Sequence, residues 1–303
     1  MPGSLPAAGP LAGTGPIDPA QKSVVVHIRR QEVIDGSRTH AALLIEMIEE
    51  AVQMVTGAGR ADEAWNRLLK PDDRIAIKFN HVGEQALNTT FPMASALVES
   101  LKRAGFGPDR VMLVEAPPQA TRALKTRSPV QGFSGPEVSF GSGAEELSAV
   151  LQEATAIINV PFLKTHNIAG MTGCLKNLSH ALIRRPGRYH ADGCAPFVGD
   201  IVALPQIRSK LRLHLMNALR AVYDGGPAAG ADNTWTHAGL IVSTDPVAAD
   251  AVGLEVINER RQASNLAPIG GPDALIPHLR AAAERGLGTD DPDYIRLIVP
   301  APL

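Results

Sequence analysis

The densest group of chemistry-bearing side chains follows an apolar run, Ala156-Ile157-Ile158-Asn159-Val160. Lys164, Thr165 and His166 come directly after it, then Thr172, Cys174, Lys176, Asn177 and His180, with glycines at 170 and 173. Lysine, threonine and asparagine donate to carboxylate or phosphate oxygens, and lysine also stabilises negative charge that develops during a reaction. His166, with an unperturbed pKa of about 6.5, is the best candidate for proton transfer. Thr172, Lys176 and His180 are spaced by four, so on a helix they share a face. The glycines let the backbone approach a ligand, and a helix start there would aim N–H groups at an anion.

Other positions extend the set. Lys78 and Asn80 close the run Ile75-Ala76-Ile77, Glu115 closes Val111 to Val114, and Asp245 follows Gly239 to Ser243. Asp250 stands in an otherwise apolar stretch, Val247 to Val252, where a carboxylate needs a partner; Lys164 or Lys176 is the expected one. Arg188, with Arg184 and Arg185, can clamp a carboxylate or phosphate. His190, Asp192 and Cys194, joined by His180 or Cys174, have the chemistry of a zinc site without a recognised spacing.

Each residue also has a plainer role. A strand-end lysine can reach solvent or pair with Glu115 or Asp245. Asn80 and Asn177 can hold turns, His166 can fix its loop, and Asp245 before Pro246 is a natural helix cap.

Positioning these groups requires alternating elements. Short β-branched runs at 23–28, 74–80, 110–115, 156–160 and 239–243 read as strands, and 294–299 as a closing one. Helical spacing covers 39–55, 90–104, 144–154, 173–183, 247–261 and 272–284, and 200–210 with Pro205 as an interruption. Residues 211–223 fit strand or helix. Residues 116–143 read as a long Pro/Gly/Ser-rich loop. This alternation predicts an α/β fold, a mostly parallel sheet with helices on both faces, in one domain over residues 23–303. Residues 1–22, rich in Pro, Gly and Ala, read as a disordered arm and not an export signal. In such folds binding groups gather at the carboxyl ends of strands, so the polar strand ends point to one shared site.

Composition narrows the partners. A net charge of -2 lacks the basic face a nucleic acid needs, and 4% aromatic residues give little for base stacking. No apolar run approaches the ~20 residues of a membrane span. Two cysteines without a CxxC pair exclude a Cys-ligated cluster and suggest reduced thiols in a cytoplasmic chain. The common nucleotide phosphate loops and the GxSxG elbow are absent.

Five segments together resemble the family described as domain of unknown function 362: Ile75 to Asn80, Asn159 to His166, Thr172 to Leu178, Asp224-Gly225-Gly226-Pro227, and Ser243 to Gly253. The resemblance implies an α/β fold and a shared site. Many relatives carry a ferredoxin-like cysteine-rich segment and an export signal; this sequence shows neither, so electron transfer gains no support.

The expected function is a cofactor-independent enzyme on a small anionic metabolite, with isomerisation, elimination or cyclisation as its chemistry. His166, Lys164, Lys176 and Asp250 are the catalytic candidates. Lys78, Asn80, Thr165, Thr172, Asn177, Asp245 and Arg188 are the substrate-binding ones. Two alternatives stand beside it: an enzyme using zinc or another divalent metal at His180, His190 and Cys194, and a non-catalytic binding protein. A homodimer is left open.

Overall fold

In the computed structural model, which describes residues 22–271 and 276–301, the β-branched runs pair into one nine-stranded sheet. The arm expected over residues 1–22 lies outside the described residues except for Lys22, as does the start of the helix expected from Pro272. The strands are β1 (Ser23–Arg29), β2 (Ile75–Lys78), β3 (Val111–Val114), β4 (Ala156–Asn159), β5 (Phe162–His166), β6 (Gly170–Met171), β7 (Leu211–Val222), β8 (Thr234–Ser243) and β9 (Ile295–Ile298). Their order is β9-β1-β8-β7-β4-β2-β3, with β5 also on β7 and β6 on β5. Pairs β1/β9, β7/β4, β7/β5, β4/β2 and β2/β3 are parallel, while β8 runs antiparallel to both neighbours and β6 to β5. The sheet is therefore mixed and mostly parallel.

Successive strand side chains point to opposite faces. Val26, Ile77, Leu113 and Ile158 pack under α1 (Ala41–Thr56), α2 (Ala61–Leu68) and α3 (Thr90–Arg103). Val25, Ala76, Met112 and Ile157 pack under α4 (Gly173–Ser179), α5 (Phe197–Val202), α6 (Pro246–Ala263) and α7 (Pro277–Glu284). Both faces are covered, which is why β2, β3 and β4 are buried throughout. None of the described helices is long and apolar enough to cross a membrane.

Strand β7 organises the site. Its first half pairs with β4 (His214 opposite Asn159) and its far half with β5 (Asn217 opposite Phe162). Pro161, which has no N–H to place in a ladder, sits at the step between β4 and β5, and its carbonyl accepts from Asn217 N at 2.7 Å. β5 thus continues past the carboxyl ends of β2 and β3 and carries Lys164 and His166 over them.

Several boundaries differ from the sequence reading. Residues 211–223 form a strand; β7 is buried on both faces, so it shows neither period clearly. The pattern over 200–210 becomes two short helices, α5 and Pro205–Arg208, because proline starts a new helix better than it continues one. The expected loop 116–143 contains a helix, Pro118–Ala123, and a hairpin of Val138–Phe140 with Gly143–Glu145. That hairpin takes the start of the helix expected over 144–154, leaving Val150–Glu153.

Two carboxylates of one segment fix helix starts. Asp245 caps its own helix, α6, accepting from Val247 N at 2.8 Å and Ala248 N at 2.9 Å. Asp250, fully buried inside α6, accepts from Cys174 N and from Leu175 N (3.0 Å) at the start of α4. Gly173 allows that approach: its φ is +54°, and a Cβ there would lie 2.3 Å from Asp250 Oδ1. Gly173→Ala should therefore cost about 2–4 kcal/mol in urea unfolding, from the left-handed backbone and the lost N–H bonds. A cost below about 0.5 kcal/mol would show that α4 does not depend on this contact.

Candidate active site

The parallel register places Lys78 beside Val114 on one side and Asn159 on the other. Its ammonium is buried and donates to Glu115 Oε2 at 2.6 Å, to Asn177 Oδ1 at 3.2 Å and to the carbonyl of Phe79. Glu115 adopts a left-handed backbone (φ 59°) just past β3, and its other oxygen lies 3.1 Å from His81 Nδ1. Burial pulls the Lys78 pKa down, and Glu115 opposes that shift.

Side-chain amides link this lysine to the next. Asn80 Nδ2 donates to Asn177 Oδ1 at 3.0 Å, and Asn177 Nδ2 donates to Asn159 Oδ1 at 2.8 Å. Lys164 Nζ donates to Asn80 Oδ1 (3.1 Å), Val82 O (2.6 Å) and Pro227 O (3.4 Å). No carboxylate pairs with it among the described residues. Burial, reinforced by Lys176, brings the Lys164 pKa down to about 7. The Asp224-Gly225-Gly226-Pro227 turn supplies part of this wall. Gly226 N donates to Thr165 Oγ1 at 3.0 Å, and a Cβ on Gly226 would lie 2.0 Å from Thr165 O, so only glycine fits.

Histidines form the opposite wall. His166 Nδ1 accepts from Ile168 N (3.1 Å) and Ala169 N (3.2 Å), so its neutral ring carries the proton on Nε2. Burial, then Lys176, lowers its pKa to about 3. His180 touches Ser179 Oγ (2.8 Å) and Tyr189 O (2.9 Å), and burial lowers it to about 3 as well. His190 Nδ1 faces Pro186 O at 3.1 Å, which leaves Nε2 to accept from Lys176 Nζ at 3.2 Å. The His190 ring centroid is 4.6 Å from that of His180 and 5.7 Å from that of His166.

Between the walls lies a cavity of about 390 Å³. Of the sequence-predicted residues, Lys164, His166, Lys176, Asn80, Thr172 and Asn177 line it, with His180 and His190. Lys78 sits behind them, joined through Asn177. Thr165 is turned to the Gly226 loop. Arg188 instead pairs with the buried Glu145 at 2.9 Å, and Asp245 lies outside because antiparallel β8 carries the chain away from the carboxyl ends of its neighbours. Asp250 pairs with backbone N–H groups, not with Lys164 or Lys176 as expected, since α6 places it under the start of α4; burial raises its carboxyl to about 7. The pKa of His166 is likewise far from the unperturbed value assumed from sequence, because burial and Lys176 both disfavour its cation.

Glu115, one of the polar strand ends expected at a shared site, lines the cavity, and so do His81, Val82, Phe133 and Pro227, which were not expected as cavity residues. A strand-end position marked Glu115, and Pro227 lies in one of the segments that carry the family resemblance; nothing local marked His81, Val82 or Phe133. His180, His190 and Cys194 offer ligand atoms all within 4.8 Å of one another, whereas Asp192 is not part of that group. Both cysteines are buried free thiols.

Among solved structures, the lactate racemase apoprotein from Thermoanaerobacterium thermosaccharolyticum is similar at 13% identity and a TM-score of 0.42, over 80% of this chain and 58% of that one. The chain thus spans less than two thirds of that structure. No curated protein matches it. The sequence matches the description Domain of unknown function (DUF362) over residues 75–255, more than half its length. The chain belongs to that family.

Proposed function

We propose that this chain is an enzyme that binds a small carboxylate or phosphate compound in the cavity and moves a proton on it, in an isomerisation, elimination or cyclisation that uses no redox cofactor. One observation carries the reading: Lys164 and Lys176 are both buried in the cavity wall, and among the described residues each has only neutral partners. Buried charge without a counter-charge is costly, and a bound anion relieves that cost. Lys164, with its pKa near 7, exchanges a proton at neutral pH. His166 stays neutral and presents Nε2–H, so it serves as a hydrogen-bond donor to charge developing on the substrate and not as a base.

The sign of the pH dependence follows. An anion that binds the ammonium form of Lys164 raises its pKa, so binding takes up protons near neutrality and weakens as the pH rises above about 7. Calorimetry with phosphate or acetate in buffers of different ionisation enthalpy reads that uptake. Lys164→Met should abolish it and weaken binding about tenfold or more. Unchanged binding by this variant, or none by the wild type, ends the reading.

The grouping of His180, His190 and Cys194 favours a metal-dependent alternative, since two imidazoles and a thiolate suit zinc. Against it, Lys176 Nζ occupies the His190 Nε2 lone pair at 3.2 Å, a cation where another cation would bind. Elemental analysis of protein prepared without a polyhistidine tag should find well under one metal per chain. A full equivalent, lost on Cys194→Ser, would replace the cofactor-free reading with this one.

A further inference from the structure

The three buried lysines differ in what holds their amines. Lys78 donates to a carboxylate, an amide oxygen and a carbonyl. Lys164 donates to three oxygens. Lys176 has one partner among the described residues, His190 Nε2 at 3.2 Å, and that partner is a base. The contact of His190 Nδ1 with Pro186 O holds the ring in the tautomer whose Nε2 accepts. Lys176 lines the cavity, and α4 is anchored beneath it by Asp250. One turn earlier, on the same face, the Thr172 hydroxyl is buried without a hydrogen-bond partner and also lines the cavity. Here is an amine with unfilled hydrogen-bonding positions, a base against it, a second buried lysine, Lys164, near it and an unused hydroxyl beside it. A desolvated lysine next to other cations is the arrangement that activates an amine toward carbonyl carbon.

We infer that Lys176 is a nucleophile that forms an imine with a small oxo acid, His190 serving as the base that frees its amine and Lys164, His166 and Thr172 holding the carboxylate. The inference rests on the anion-binding reading above and narrows its substrate to a carboxylate that also bears a ketone or aldehyde. His190 takes a proton from the ammonium. The amine nitrogen then adds to the carbonyl carbon and passes one of its protons to the carbonyl oxygen, which becomes a hydroxyl; protonated a second time by His190, that hydroxyl departs as water. The product is a protonated C=N bond on Lys176, with no oxidant or reductant consumed. That iminium draws electrons from the adjacent C–H bond, which is what an isomerisation or elimination by proton transfer needs.

Trapping tests it on the intact wild-type chain. Pyruvate or acetoacetate is added with sodium cyanoborohydride at neutral pH, and peptide mapping locates reduced adducts. The expected result is one adduct per chain on Lys176, formed at least about tenfold faster than on exposed Lys102, saturating with oxo acid and slowed by phosphate. Lys176→Arg should lose the adduct, and His190→Gln should slow its formation. Adducts on Lys164 or only on surface lysines overturn the assignment. If no adduct forms although phosphate binds by calorimetry, the imine fails and the anion site stands; if phosphate does not bind either, both fail.

Discussion

Three buried lysine amines gather at one cavity, Lys164 and Lys176 in its wall and Lys78 behind it, and the carboxylate in that wall, Glu115, is already paired to Lys78. An isolated buried charge costs several kcal/mol, so the chain must spread that cost over neutral groups. It does so with the amides of Asn80 and Asn177, with the carbonyls of Val82 and Pro227, and with an imidazole nitrogen of His190. Burial, with the positive field of Lys176 adding to it, sets the state of the neighbours. Lys164 falls to about 7, and His166 and His180 fall to about 3 and stay uncharged. The site is thus electropositive through its lysines and neutral through its histidines, a division of roles that residue types alone do not reveal.

The surrounding fold serves that arrangement by restricting movement. Pro161 lets β5 step beyond β4 while both stay on β7, which carries Lys164 over the ends of the parallel strands. Asp250 holds the start of α4 from below, and so fixes Lys176 and Asn177, which follow its two N–H partners directly. Gly226 brings a loop against Thr165 with no room for a side chain and delivers the Pro227 carbonyl to Lys164. None of these three residues touches the cavity's chemistry, yet each decides where a lysine amine rests.

The alternation of β-branched and helical stretches was legible, because a period of two and a period of 3.6 are local properties. So were the strand ends that carry Lys78, Glu115 and Lys164, and the helix row of Thr172, Lys176 and His180. Elements buried on all sides were harder: β7 looks alike in either period. The fourth strand end, Ser243 with Asp245, was grouped with the others because strand direction leaves no mark in a single strand; the antiparallel pairing of β8 sends it elsewhere.

The sequence by itself determined that cations, amides and imidazoles would sit at the ends of apolar strands, since burial of those strands forces their polar termini outward to a rim. Only the tertiary structure decided which of them meet. It gave Asp250 to backbone N–H groups and Arg188 to Glu145, turned the acceptor nitrogen of His166 to its own loop, and left Lys176 against His190. The reason is that pairing depends on distances between residues far apart in the chain. Those distances come from strand order, strand direction and helix packing, which no local stretch of residues encodes.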